Sequence, residues 1–566
     1  MARLMRYCLA ALLLAQGMAW AQAPSTPESF SKSPAIASAH PLATEAGHDM
    51  LKRGGNAFDA AIAVAAALAV VEPYSSGIGG GGFFLLHRAA DGKQVMIDAR
   101  ETAPAGVRRE HYLDASGQPV RGATMQGGTA SGIPGTPAGL VHLAANYGKL
   151  PLAVSLAPAI RLARDGFAVD GRYVRIAKIR EGYLRRLPEA SRIFLADGRA
   201  LTQGYMLKQP ELAQTLNLIA KQGAAGFYSG PVARALVDSV NAVGGAWQLA
   251  DLERYQVVER QPMRVTYRGA TITTVALPSA GGIALTQALG MLEEVKPDGV
   301  SGVSDADSAH LITEVLRRVF RDRMALGDSD HVSVPVAALT EKTHLKQMLT
   351  SLSPVKATVS DTLGPPPSAK AESRNTTHFS VIDAEGNRVG ATLTVNWIFG
   401  SGLVAKGTGV LLNNEMDDFT LSADLPNSYR LRGSEANAMA PGKRPLSSMT
   451  PTFVEDDRGV LILGAPGGSR IISMVLLGVL EHLRVREVDV QRIVRLPRYH
   501  HQFWPDHIEV EPQGFGAEWR AALQAKGHAI REVNRQWGNM QAVFQSKQTG
   551  EATAASDPRG SDVGWY

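Results

Sequence analysis

Hydrophobic and polar positions along this chain follow two different periods. Residues 41–53 show helical spacing and stop at Gly54-Gly55, a glycine C-terminal signal. Asn56 is a helix-capping residue type, and Asp59 falls in the first turn of the alanine- and valine-rich run that reaches Val71 before Pro73. That run is apolar nearly all round, which predicts a buried core helix, and it is too short to span a bilayer. Several amphipathic helical patterns fill 150–350. The clearest runs from Asp305 to about Met324, and the expectation is that Arg317, Arg318, Arg321 and Arg323 form its solvated face.

The period then changes. Residues 361–375, DTLGPPPSAKAESRN, are proline-rich, polar and unlike a packed element. Directly after them, 376–382 and 388–396 read as strands on either side of a turn at 383–387. If Ile382 faces Arg388, the register sets Thr376 opposite Thr394, with the two Cβ atoms about 5 Å apart. Asn396, two residues on, falls on the same face. By spacing alone these are strand threonines facing each other, since threonine is a good strand residue.

Composition removes several functions. Apolar residues make up 45% and charged residues 20% of 566 residues, an ordinary globular balance. Arg3 and Arg6, the apolar stretch 8–15 and Ala19-Trp20-Ala21 read as a signal peptide over 1–21, with cleavage after Ala23 as an alternative. Cys8, the only cysteine, lies in that segment, so the mature chain has no disulfide, thiolate metal site or cysteine nucleophile. Removing the two arginines lowers the formal charge from +5 to +3, and basic residues are interspersed with acids. That is no nucleic-acid footprint.

Four short patterns need weighing. GIGGGG at 77–82 formally matches GxGxxG, but a helical pattern precedes it and a strand, FFLLH, follows. A dinucleotide site needs the reverse order, so a tight backbone crossing is the expectation. Adjacent His500 and His501 do not share a face of a strand or helix, so they are assigned to structure and not to a metal. NNEMDD at 413–418 reads by composition as a solvated acidic loop, and Gly467-Gly468 as a helix-entry turn.

A wider set of segments changes these readings. GGNAFDAAIA at 54–63, GIGGGGFF at 77–84, DARETAP at 98–104, SGIPGTPAG at 131–139, TTHFSVID at 376–383, LLNNEMDDF at 411–419, KRPLSSMTPT at 443–452 and GAPGGSRII at 464–472 span nearly the whole mature chain. Together they resemble the γ-glutamyltransferases (γ-glutamyltranspeptidases, glutathione hydrolases), within the N-terminal-nucleophile hydrolases. The resemblance implies self-cleavage between Asn375 and Thr376, with Thr376 then acting as nucleophile and its freed α-amino group as base. It makes Thr394 the second hydroxyl and Gly467-Gly468 the oxyanion-hole pair. It gives Arg100, Ser447 and Ser448 to the substrate's α-carboxylate, and Asp418, Glu415 and Asn396 to its ammonium, while Asp417 points away.

By the same resemblance the fold is α+β, a four-layer αββα sandwich cut into interdigitated subunits, 22–375 and 376–566. The segment TLSADLPNSYRLR resembles a lid with Tyr429 at the gate, and Trp397-Ile398 departs from the small polar residues expected there, which bears on the acceptor side. Implied substrates are glutathione and other γ-glutamyl compounds, with water, amino acids or dipeptides as acceptors. No cofactor, metal, nucleic acid or membrane is implied, and the location is periplasmic or secreted. Two rivals remain: a cephalosporin or glutaryl acylase with the same nucleophile, and a periplasmic binding or structural protein that never matures. Asp418 argues against the acylase, because a glutaryl group has no ammonium.

Overall fold

The computed structural model describes residues 33–120, 122–364, 376–421 and 434–560. The proposed signal peptide, Asn375 and Tyr429 lie outside the described residues. Strand β1 (Ala35–Ser38) leads into helices α1 (Pro41–Lys52) and α2 (Ala57–Val71). As expected, Asn56 caps α2: its side chain accepts from the Phe58 and Asp59 amides, and Asp59 accepts from the Asn56 amide at 2.9 Å. Every residue of α2 is buried. Asp59 tolerates this because the Lys149 and Leu150 amides also donate to it.

Two six-stranded antiparallel sheets form the centre. Strands β2 (Gly81–Arg88), β3 (Lys93–Ala99), β4 (Val258–Arg260), β5 (Met263–Tyr267) and β6 (Ala270–Thr274) come from the first part of the chain. Strands β7 (Thr377–Ile382), β8 (Arg388–Thr394), β9 (Thr452–Glu455), β10 (Gly459–Gly464), β11 (Gln541–Ser546) and β12 (Ala552–Ser556) follow the proline-rich segment. One sheet runs β1-β7-β8-β2-β3-β4, the other β12-β11-β10-β9-β6-β5. Both therefore mix strands from the two sides of residue 375.

Strand alternation sorts the core. Leu85, Ile382, Phe453, Ile462 and Val543 meet between the sheets, where β7 lies against β10 and β11. The opposite face of the first sheet, with Phe84, Ile97, Phe379 and Val389, packs against α2. Helices α3 (Gly171–Leu184), α4 (Gly281–Val295), α5 (Ala306–Arg323) and α6 (Arg470–Arg484) complete the elements that matter here. Of these, α4, α5 and α6 share a core with Val454, Leu461 and Leu463 of the second sheet.

The hairpin has the predicted register, Ile382 facing Arg388 and Thr377 facing Leu393. Its turn is fixed by Asp383, which accepts from the Glu385 and Asn387 amides and, across the fold, from the Ala57 amide that opens α2. The glycine run is the backbone crossing anticipated. A Cβ on Gly79 would lie 2.1 Å from the Leu411 carbonyl oxygen, and one on Gly80 2.0 Å from that of Thr394. No side chain fits there, and this contact fixes the end of β8.

Two expectations are corrected. Strand β8 ends at Thr394, not at 396, because the chain turns through Asn396 at φ +71° and leaves the pleat. The arginines of α5 are not a solvated face: Arg317, Arg318 and Arg323 are buried, and Arg321 is half-buried. Arg317 meets Glu314, Ser360 and Asp506, while Arg318 meets Glu314, Ser351 and Thr358. Most of these partners come from remote segments that helical periodicity does not register.

Candidate active site

Thr376 stands just before β7 and Thr394 closes β8, both buried, with their hydroxyl oxygens 3.4 Å apart. Thr394 Oγ1 also accepts from the Asn396 amide at 2.7 Å, which fixes its rotamer. From the second sheet, the turn after β10 brings Gly467 and Gly468 beside Thr376. Their φ angles are +141° and +57°, a left-handed pair that side chains resist. Helix α6 starts two residues later, so these amides lie at its positive end.

Thr376, Thr394 and Gly468 form one wall of a pocket with Arg100, Arg323, Glu415, Asp418, Ser447 and Ser448. It encloses only about 20 Å³, room for a water molecule or so. A clasp closes it. The Arg100 guanidinium holds the Glu415 carboxylate with one nitrogen and Asp418, at 2.5 Å, with another, while its Nε donates to the Pro445 carbonyl. Glu101 lies 3.6 Å from the same guanidinium, and among the described residues neither of its oxygens has a hydrogen-bond partner.

Three carboxyls, Glu415, Asp418 and Glu101, share this site with two guanidiniums, Arg100 and Arg323, which leaves acid in excess. Burial works against the charge on Arg100, but the carboxylates outweigh it and hold the guanidinium more firmly protonated than usual. Burial pushes Glu415 well above the usual carboxylate range despite Arg100, and pushes Glu101 up to about 7. A pocket in that state gains from a cationic group.

The sequence-derived residues divide as follows. Arg100, Thr394, Glu415, Asp418, Ser447, Ser448 and Gly468 come together around Thr376. Gly467 lines the neighbouring cavity with Thr376. Asn396 lies beyond the end of the strand, at φ +71°, and its side-chain amide donates to the Asn414 carbonyl at 2.9 Å. Asp417 does point elsewhere, accepting from Thr124 at 2.7 Å, but from a 3₁₀ turn over Glu415–Asp418 and not from an extended segment. NNEMDD is not a solvated loop, since Glu415 and Asp417 are both buried.

Sequence reasoning missed Arg323, which ends α5 inside the pocket and donates to the Ser448 hydroxyl at 3.0 Å. Burial lowers its pKa to about 10. It also missed Asp98, whose carboxylate accepts from the Arg100 amide and from Arg260 Nε. The signal for Asp98 was present, because it sits two residues before Arg100 in the same DARETAP segment.

A second cavity, of about 370 Å³, also reaches Thr376 and is lined by Gly467, Ile398, Trp537 and five arginines. The two adjacent histidines behave as structural groups: His500 bonds Ser473 and Gln502, while His501 bonds Asp506. Among the described residues, His310, Glu314 and His528 bring ligating atoms within 4.8 Å of one another. The Glu314 carboxylate is already held by Arg317, Arg318 and Thr358, and the two imidazoles share a hydrogen bond of 2.7 Å. Two guanidiniums beside that carboxylate disfavour a divalent ion there.

A family model described as gamma-glutamyltranspeptidase matches residues 43–565. The glutathione hydrolase proenzyme of Escherichia coli (strain K12) is 40% identical over 530 residues, covering 93% of this chain and 90% of the relative. That of Bacillus subtilis (strain 168) is 33% identical over 599 residues, covering 100% and 99%. Among solved structures, a cephalosporin acylase from Bacillus halodurans superposes with a TM-score of 0.81 at 27% identity, covering 95% of this chain and 96% of its own. Helicobacter pylori gamma-glutamyltranspeptidase gives 0.55 at 36% identity, covering 58% of this chain and 93% of its own.

Proposed function

We propose, from the fact that the chain belongs to the γ-glutamyltranspeptidase family, that it is a glutathione hydrolase and γ-glutamyltransferase that matures by cutting its own Asn375–Thr376 bond. The observation that carries this is the Thr376 hydroxyl, 3.4 Å from that of Thr394 at the head of a strand, facing an acid-rich pocket built on Arg100. In the precursor the Thr376 hydroxyl attacks the Asn375 carbonyl and the resulting ester hydrolyses, freeing the threonine's α-amine. That amine has a reference pKa near 8 and takes the proton of its own hydroxyl.

In turnover Oγ1 attacks the γ-carbonyl of the substrate, and Thr394 orients it. The Gly467 and Gly468 amides face the oxyanion, a type of contact whose loss costs about 3 kcal/mol of barrier. The departing amine takes the proton, leaving a γ-glutamyl ester on Thr376, which water or an acceptor amine resolves. The substrate's α-carboxylate goes to the Arg100 fork and to the hydroxyls of Ser447 and Ser448, and its α-ammonium to Asp418 and Glu415, with Asn396 in support.

The Arg100 clasp gives a physical reason for γ-glutamyl over glutaryl. A zwitterion that opens the clasp replaces each partner it displaces: its carboxylate satisfies Arg100 and its ammonium satisfies the acids. A glutaryl group brings no ammonium and would leave buried carboxylates unpaired, which is costly. Residues 22–375 and 376–566 are then two subunits sharing one four-layer αββα sandwich. Residues 1–21 direct export. Among the described residues no helix is long and apolar enough to cross a membrane.

The test is N-terminal sequencing of the smaller fragment, alongside rates on γ-glutamyl- and glutaryl-p-nitroanilide. The expected result is a fragment beginning at Thr376 and a preference for the γ-glutamyl substrate. Active enzyme that runs as one band near its full 60.3 kDa would overturn the proposal.

A further inference from the structure

A nucleophile at a chain terminus has no residue before it to hold it in place, and chain ends fray unless they are tied down. After self-cleavage Thr376 is such a terminus. The strand ladders give it limited help. β7 pairs with β8 from Thr377 onwards, but its pairing with β1 stops at Phe379, which faces Ser38. Thr377 is therefore laddered on one side only. A side chain holds it from a second direction. Alternation along β7 turns Thr377 to the face that Phe379 and Val381 pack against α2, away from the second sheet. There its hydroxyl donates to Glu72 Oε2 at 2.9 Å.

Glu72 is the first residue beyond α2 and is wholly buried. The place is unfavourable for an anion twice over. Burial pushes its carboxyl above the ordinary value, and the C-terminal end of a helix repels negative charge. Stability alone does not explain a carboxylate at this point. Both of its oxygens are nevertheless engaged. Oε1 accepts from Arg172 Nη1 at 2.6 Å and from the Tyr74 hydroxyl at 3.2 Å, while Oε2 takes Thr377. Arg172, in the first turn of α3, lies over the Tyr74 ring at 5.5 Å and lines the cavity that reaches Thr376. One oxygen of Glu72 is thus braced against α3, and the other grips the residue next to the nucleophile. We infer that Glu72 is a positioning residue for the nucleophile: through Thr377 it fixes the backbone from which Thr376 Oγ1 is aimed, at the Asn375 carbonyl in the precursor and at the substrate carbonyl afterwards. The inference rests on the self-cleavage and γ-glutamyl-transfer reading, and adds to it a residue that acts only through its neighbour.

The experiment starts from the full-length precursor. It measures the half-time of self-cleavage on a denaturing gel, then kcat and KM for γ-glutamyl-p-nitroanilide after maturation, with Tm alongside. Thr377→Val keeps the branched strand shape and removes the hydroxyl. It is expected to slow self-cleavage and to lower kcat, each about tenfold, with KM unchanged, the worth of one hydrogen bond to a charged group. Thr377→Ser keeps the hydroxyl and should restore both rates. Glu72→Gln offers one acceptor oxygen where two are used, and a loss of similar size is expected. The double variant should lose no more than the worse single one, because the two side chains make one contact. Wild-type self-cleavage and kcat in Thr377→Val, whatever its Tm, overturn the role. So does a loss that appears in KM and not in kcat, or losses that multiply in the double variant. Should Thr377→Val not fold, Glu72→Gln carries the test on the same readouts. A wild type that cuts itself but releases no nitroaniline overturns the transfer reading alone, since the self-cleavage half-times still judge Glu72.

Discussion

The two cavities that share Thr376 both contain arginine, but they balance its charge in opposite ways. On the Gly468 side, Arg100 is enclosed by Glu415, Asp418 and Glu101, and the pocket is shut around its own ion pairs. On the Gly467 side, the acids stand behind the wall and the guanidiniums line an open space. A closed clasp admits only a group that can replace both of its partners, so it discriminates strongly. An open cationic surface attracts an anionic group only by modest, salt-sensitive forces.

The contrast can be broken from the centre outward. Thr376→Ala removes the wall common to both cavities. The expected result is an uncut precursor on a denaturing gel and at least about a 10⁴-fold loss of nitroaniline release. Robust cleavage of that variant would take Thr376 out of the mechanism. Asp418→Ala attacks the clasp alone. We expect maturation to survive while kcat/KM for γ-glutamyl-p-nitroanilide falls about 10²- to 10³-fold, with rates on glutaryl-p-nitroanilide falling far less. Equal losses on both substrates would show that the clasp does not read the ammonium.

Weaker effects sharpen the difference. Arg323→Met leaves the Ser448 hydroxyl without its donor, and about a tenfold rise in KM for the donor substrate is expected. The smallest effect is a pH dependence on the closed side. Burial raises Glu101 from 4.5 to about 7 in the folded protein. Its contribution to stability is therefore complete below about pH 4.5 and is lost as pH rises through 7. Between about pH 5 and 8 the wild-type Tm should fall a few degrees further than that of Glu101→Gln, as followed by thermal melts. The guanidiniums that line the other side stay charged throughout that range.

Much of this was legible in the chain. The hairpin register followed from alternation on both sides of a five-residue turn, and it brought the two threonines together without any tertiary information. The Asn56 cap and the glycine crossing were equally local. Local rules failed where they were run too far or where partners were remote. Asn396 was assigned by extending a pleat that stops at Thr394. The α5 arginines were read as solvated because the groups that neutralise Arg317, such as Ser360 and Asp506, lie 43 and 189 residues away. The arginine-lined cavity draws on α3, Ile398, the Gly467 turn, the loop before Trp537 and Arg559. No period or motif in any one of those segments marks the space they enclose.

The strand order carries a consequence for handling the enzyme. β7 and β8 lie between β1 and β2, and β9 pairs with β6, so each sheet is laced by strands from both sides of residue 375. A precursor assembles these ladders in a unimolecular reaction. Once that peptide link is severed, the same ladders can be rebuilt only by an encounter between two molecules, and recovery from denaturant becomes concentration-dependent. The mature protein would then owe its persistence to slow opening, with a refolding yield that the intact precursor exceeds at every dilution.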